Sequence, residues 1–157
     1  MEQRKLIREL TPETTEQELF DYITSFLMQQ RYASVDENDL CKYRGTKGRM
    51  CAVGCIIPDK FYSKDLEQNT VGLILIRKLN ITRGNELQYW TIIEKFLKLL
   101  VVLQDAHDGD ILSEDDKYWA GKGPELAVQN LFIMKESFKT VAKQFNLEFD
   151  PKLYLQL

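Results

Sequence analysis

Two polar side chains interrupt an apolar helical stripe and mark where chemistry is to be sought. Trp90, Ile93, Leu97 and Leu100 recur at steps of three and four, and the stripe continues into Gln104 and His107. An amide and an imidazole therefore fall on a face that should be buried. Leaving a buried polar group unpaired costs about 1–3 kcal/mol, so either the core satisfies these two or they line a cleft where a ligand does. His107 is the sole histidine. At the end of a helix it would also answer the negative pole of the helix dipole.

The second concentration of reactive residue types runs from Cys41 to Cys55, dense in glycine, cysteine and cations. Three chemistries compete for it. Cys51 would be a nucleophile activated by His107, with Asp108 or Gln104 assisting, because a thiolate needs a base within hydrogen-bond reach and often a third, orienting group. That describes a thiol-dependent hydrolase or transferase. Cys41, Cys51, Cys55 and His107 also total the four ligands of a tetrahedral zinc site, although the paired short-spaced knuckles that make such a signal strong are missing. Lastly, Tyr43, Arg44, Lys47 and Arg49 would hold an anionic ligand, with glycines admitting a phosphate or carboxylate to backbone N–H groups. Gly45-Thr46-Lys47-Gly48 is not a Walker loop. Against all three stands the reading of the cysteines as small buried hydrophobes.

Charge is distributed unevenly between the two segments. Residues 41–60 hold five cations and one acid, whereas residues 103–116 carry Asp105, Asp108, Asp110, Glu114, Asp115 and Asp116 and no Lys or Arg. Solvated loops would gain little from this complementarity. If instead Arg44 or Arg49 docks on Asp105 or Asp108, the basic turn folds over the polar end of the helix and builds a cleft. The acidic run does not have the spacing of a calcium loop.

The elements that must position these residues are mostly helical. Thr15 and Glu18 form a capping-box pair ahead of Leu19, Phe20, Ile23, Phe26 and Leu27, which predicts a helix from about Thr15 to Arg31. Leu40 to Arg44 and Arg49 to Val53 flank the Gly45–Gly48 turn and predict a hairpin, with one helical turn from Gly54 to Ile57 before Pro58. Val71 to Ile76 is apolar throughout; Asn69 or Thr70 as cap and Arg77-Lys78 behind it favour a helix. A single long helix is expected from after Asn85 to Asp108-Gly109-Asp110, apolar around most of its girth. Gly123-Pro124-Glu125 opens a last helix with Leu131, Met134, Phe138, Val141 and Phe145 as its stripe, and Asn146 then Leu147 as its stop. The fold class is mainly α: one helical domain, residues 1–157, carrying a small β-hairpin around residues 40–53.

Composition narrows the function classes. The 157 residues carry 21 Lys+Arg against 24 Asp+Glu and are 44% hydrophobic, a balance suited to one folded domain. An acidic pI near 5.3 lacks the excess positive charge of a dedicated nucleic-acid binder. Met1 to Leu6 is polar and has no apolar core of the about 7–15 residues a secretory signal needs. The most apolar stretch, Ile92 to Leu103, is broken by Glu94, Lys95 and Lys98 and falls short of the about 20 residues that cross a bilayer. A cytoplasmic protein with no membrane partner, no nucleic-acid partner and no cofactor is expected, its three cysteines reduced.

The pattern Cys41-x-Tyr43-Arg44-Gly45, Gly48, Cys51-Ala52-Val53-Gly54-Cys55-Ile56-Ile57-Pro58-Asp59, Tyr62, then Leu103-Gln104-x-x-His107-Asp108 and Trp119 resembles a family of short bacterial and bacteriophage proteins with no assigned activity. The resemblance implies that the two segments belong to one constellation and that the protein is a phage-type accessory factor acting in a host cytoplasm. It offers no mechanism. The reading that joins these strands is a non-enzymatic binding protein that captures a host protein or a small anionic ligand. Its site is then Tyr43, Arg44 and Arg49 against Gln104, His107 and Asp108.

Overall fold

The capping box expected at Thr15 forms. In the computed structural model, which describes residues 9–153, the Thr15 hydroxyl accepts the Glu18 N–H and the Glu18 carboxylate accepts the Thr15 N–H, both at 3.1 Å. They open α1 (Glu16–Gln30). The polar segment Met1 to Leu6 lies outside the described residues.

The apolar run after Thr70 is helical, as α2 (Val71–Ile81), because the Thr70 hydroxyl accepts the Leu73 N–H at 3.3 Å and so satisfies an orphan donor of the first turn. The single axial helix expected through Trp90 and His107 is instead two, α3 (Gly84–Lys95) and α4 (Leu97–Asp110). Phe96 separates them at φ −105°, ψ 13°, its N–H closing a tight turn onto the Ile93 carbonyl at 3.1 Å. Such a tightened turn ends one ladder before the next begins. Periodicity alone could not reveal it, since the apolar pattern runs straight through.

α5 (Gly123–Gln144) buries Met134, Phe138 and Val141 of the expected stripe and half-buries Leu131 and Phe145. Asn146 takes φ 54°, and Leu147 N–H reaches back to Ala142 O at 2.8 Å, the hydrogen-bond pattern of a left-handed helix stop. One hydrophobic core draws on all five helices, with Trp90, Phe20 and Phe138 as its largest fully buried side chains. α5 packs on α1 and α4, and α2 packs on α3 and α4. Beyond α5, Phe149 returns edge-on to Phe20 and Phe138, at centroid distances of 5.8 and 6.3 Å. Among the described residues no helix is long and apolar enough to cross a membrane.

The fold is mainly α, but the hairpin around residues 40–53 does not form. Among the described residues there are two isolated antiparallel bridges, Val35 with Cys41 and Arg44 with Met50, and no sheet. The turn takes one 3-10 turn, Thr46–Gly48, with Lys47 at φ 57° and Gly48 at φ 70°. On one side the strap 40–46 is held instead by the chain after α1, through Lys42 N–H to Ser34 O at 3.0 Å and Thr46 N–H to Val35 O at 2.9 Å. On the other, residues after Met50 turn into the short helical turn Gly54–Ile56, so no second strand persists long enough to build a ladder.

Candidate functional site

A strap, residues 40–46, lines one cavity together with a flank of α4 and is held in place by three devices. The Glu67 carboxylate accepts the Tyr43 N–H at 2.7 Å, the Arg44 N–H at 3.3 Å and the Tyr62 hydroxyl at 2.9 Å. The Tyr43 hydroxyl donates to the Asn69 carbonyl, just ahead of α2. Gly54 lies so close beneath Tyr43 that its missing side chain is what admits the strap.

From α4 a polar chain reaches up to this assembly. Gln104 accepts the Val53 N–H through Oε1 at 3.1 Å and donates through Nε2 to Asp108 Oδ2 at 2.7 Å. One helical turn relates Gln104 to Asp108, and Val101 to Asp105, so these four share one flank while Leu100, Leu103 and His107 turn to the core. Between strap, α2 and α4 lies a cavity of about 360 Å³, to which Cys41, Tyr43, Thr70, Gln104, Asp105 and Asp108 contribute. Tyr43, Gln104 and Asp108 thus line one cavity.

The arginines are not part of it. Arg44 pairs with Asp59 at 2.7 Å, donates to the Ile57 carbonyl at 2.7 Å and covers the Tyr62 ring at 4.2 Å. Arg49 pairs with Glu114 at 2.8 Å, donates to the Gln30 carbonyl at 3.2 Å and covers Tyr32 at 4.6 Å. Docking on Asp105 or Asp108 is therefore replaced by partners nearer each guanidinium along the folded chain. Lys47 joins the second cluster, 3.1 Å from Asp115 and 3.6 Å from Glu114. The Arg49 hydrogen bond in turn holds the Glu114 carboxyl below its usual range.

His107 does not open onto the cavity. It is fully buried, neither ring nitrogen makes a hydrogen bond among the described residues, and Asp108 Oδ1 stands 3.6 Å from Nδ1, beyond bonding range. The imidazole acts here as core volume carrying two unsatisfied polar atoms. Replacing it with an apolar side chain of similar size removes that penalty, so His107→Leu is expected within about 1.5 kcal/mol of wild type, whereas His107→Ala leaves a cavity costing about 2–4 kcal/mol. Urea unfolding checks this. A loss of more than about 3 kcal/mol for the leucine variant would mean that the imidazole does hold a partner.

The thiols are arranged for packing. Cys51 is fully buried, its Sγ accepts the Gly54 N–H at 3.3 Å, and burial pushes its thiol up to about 12. A thiol so raised holds almost no thiolate at neutral pH, which is the opposite of what nucleophilic catalysis requires. Cys55 is half-buried, donates to the Ala52 carbonyl at 3.2 Å and is likewise pushed well above the usual thiol range by burial. Cys41 is exposed at the cavity rim, and partial burial, then the Asp108 and Asp39 charges, raise it too. Native alkylation is accordingly expected to modify Cys41 first and slowly at pH 7, Cys55 later and Cys51 only on unfolding; peptide mapping by mass spectrometry reads the order. Rapid modification of Cys51 would restore the nucleophile reading. The zinc set is not assembled either: among the described residues no three His, Cys, Asp or Glu side chains are grouped so as to hold a metal ion.

Two determinants escape a reading of spacing. Glu67 sits in an irregular stretch without periodicity, and its bonds to residues more than twenty positions away leave no local signal. Gly54 carries the motif's steric content, visible in sequence only as one glycine among several. No family model, curated protein or solved structure matches this chain.

Proposed function

We propose that this protein binds a small organic cation, an amine or a guanidine, in the cleft between the strap, the start of α2 and α4, and performs no chemistry on it. The observation that carries the reading is the charge of the walls. Glu67, Asp105 and Asp108 all line the cleft, against one cation, Lys42. Lys42 is itself paired with Asp36 at 3.6 Å, and Asp105 makes no ion pair among the described residues. The first turn of α2 adds only about half a positive charge, too little to reverse the sign. An anionic ligand has weaker support, because Lys42, Arg44, Lys47 and Arg49 are each committed to a carboxylate. Tyr43, Gln104, Asp105 and Asp108 are the contacts in this reading, while Arg44, Arg49 and His107 lie outside the cleft. A thiol-dependent enzyme is disfavoured by the burial of Cys51.

The volume of about 360 Å³ suits a small molecule better than a protein surface. An accessory role in a host cell, as the family resemblance implies, would then work by capture of a metabolite. Calorimetric titration with agmatine and with putrescine tests the proposal. Binding is expected for both, weakening with salt and falling about tenfold in each of Asp105→Asn and Asp108→Asn. Preference for succinate, or carboxamide variants that bind as wild type, would overturn it.

A further inference from the structure

A larger cavity, about 660 Å³, lies apart from the acidic cleft, between residues 9–13, α1, the 55–61 segment and α3. It shares no lining residue with the cleft. Three aromatic side chains, Tyr22, Phe61 and Tyr89, contribute to its walls. One wall is fixed in place: the Tyr89 hydroxyl donates to the Ile56 carbonyl at 2.8 Å, and the Tyr89 ring packs on Phe61 and Trp90 at centroid distances of 5.3 and 5.0 Å. Little ordering is left for a ligand to impose, which favours binding.

Polar groups of the same cavity have no side-chain partner among the described residues. The Asn85 and Gln88 amides, one turn apart on α3, and the Tyr22 hydroxyl make no hydrogen bond among the described residues. Burial, then the neighbouring Cys55, raise the Tyr22 phenol above its usual range, so it stays protonated and able to donate. The charged side chains at the rim, Glu9 and Glu13 against Lys60, leave a single net negative charge, less than in the acidic cleft, and Lys60 is placed over the Phe61 ring at 5.0 Å. Strongly charged ligands therefore gain little here.

We infer that this cavity is a second binding site, for an uncharged planar heteroaromatic molecule of purine size or somewhat larger. Its rings lie against the half-buried rings of Tyr22 and of Phe61, which Tyr89 supports from behind, while its edge pairs with Asn85 and Gln88. The cavity's size falls within the about 300–1,000 Å³ typical of small-molecule sites. Stacking of a base on an aromatic side chain tolerates many ring systems, so the class of ligand is set by planarity and by the unpaired amides.

The probe is 2-aminopurine riboside, whose fluorescence falls on stacking. Wild-type protein is expected to quench it saturably, with at least a tenfold loss of affinity in Gln88→Trp, which fills the cavity from an exposed helix position. Asn85→Trp, also at an exposed position, serves if the first variant fails to melt cooperatively. Asp105→Asn, in the other cleft, should leave the titration unchanged. Absence of saturable quenching up to about 1 mM, or filled variants that bind as wild type, would overturn the assignment.

Discussion

Gly54→Ala is expected to destabilise the protein by about 3 kcal/mol or more and to abolish ligand capture in the acidic cleft. A Cβ at this position would stand 1.9 Å from the Tyr43 carbonyl oxygen and 2.7 Å from its carbon. The obstructing atoms are backbone, so no rotamer change relieves them, and the strap must lift by more than an ångström. Lifting it stretches the Cys51 N–H to Tyr43 O bond, already 3.3 Å long, and separates Tyr43 from Gln104 across the cleft. Overpacking a well-filled interior costs about 1–3 kcal/mol when side chains can yield; a backbone collision belongs at or above the top of that range. Urea unfolding of the alanine variant is the check. A loss under about 1 kcal/mol would show that the strap sits less tightly on Gly54 than described.

The second large effect is expected at Glu67. One carboxylate satisfies the Tyr43 N–H, the Arg44 N–H and the Tyr62 hydroxyl, so Glu67→Ala leaves three donors without an acceptor at once. Hydrogen bonds to a charged group contribute about 1.5–3 kcal/mol each, but donors that regain water recover part of this, and a total loss of about 2–4 kcal/mol is expected. Glu67→Gln, which keeps a carbonyl acceptor, should fall between the alanine variant and wild type. An independent signature comes from Tyr62. Burial, the bond to Glu67 and the Glu67 charge together push its phenol up to about 12. Removing Glu67 eliminates two of those three causes, so spectrophotometric titration should find one tyrosine ionising earlier in Glu67→Ala than in wild type. An unchanged tyrosine titration would contradict the bonding described here.

Local signals in the sequence carried the helices well. Thr15 with Glu18, Thr70 ahead of an apolar run, and Asn146 followed by Leu147 each act within one helical turn, and each forms as its residue types require. The break at Phe96 was not legible, because an apolar period of three and four residues continues unchanged across a tightened turn. The hairpin failed for a related reason. Its turn residues suit a hairpin, yet Ser34 and Val35 compete for the same strap from the other side, a long-range pairing that strand propensity does not encode.

The candidate site divides along the same line. The pairing of Gln104 with Asp108, one turn apart on α4, is legible from spacing, whereas Tyr43 reaches the same cavity through its bond to the Asn69 carbonyl and not through the arginine docking expected from the sequence. The fate of Arg44 and Arg49 could not, because any of six acids in residues 103–116 offered a plausible partner, and Asp59 another. His107 shows the limit most sharply. A histidine on an apolar stripe looks the same in sequence whether it faces a cleft or the core, and here it faces the core.

Tyr43, Gln104, Asp105 and Asp108 form the proposed cation-binding cleft, and the Gln104 side-chain amide reports on it directly. In a titration of isotopically labelled protein with agmatine, that amide resonance and the backbone signals of Tyr43, Val101 and Asp105 should shift together and saturate at one dissociation constant. Signals from the Lys47–Arg49 turn should stay in place. Shifts confined to that basic turn, or a Gln104 amide indifferent to agmatine but responsive to succinate, would contradict the account.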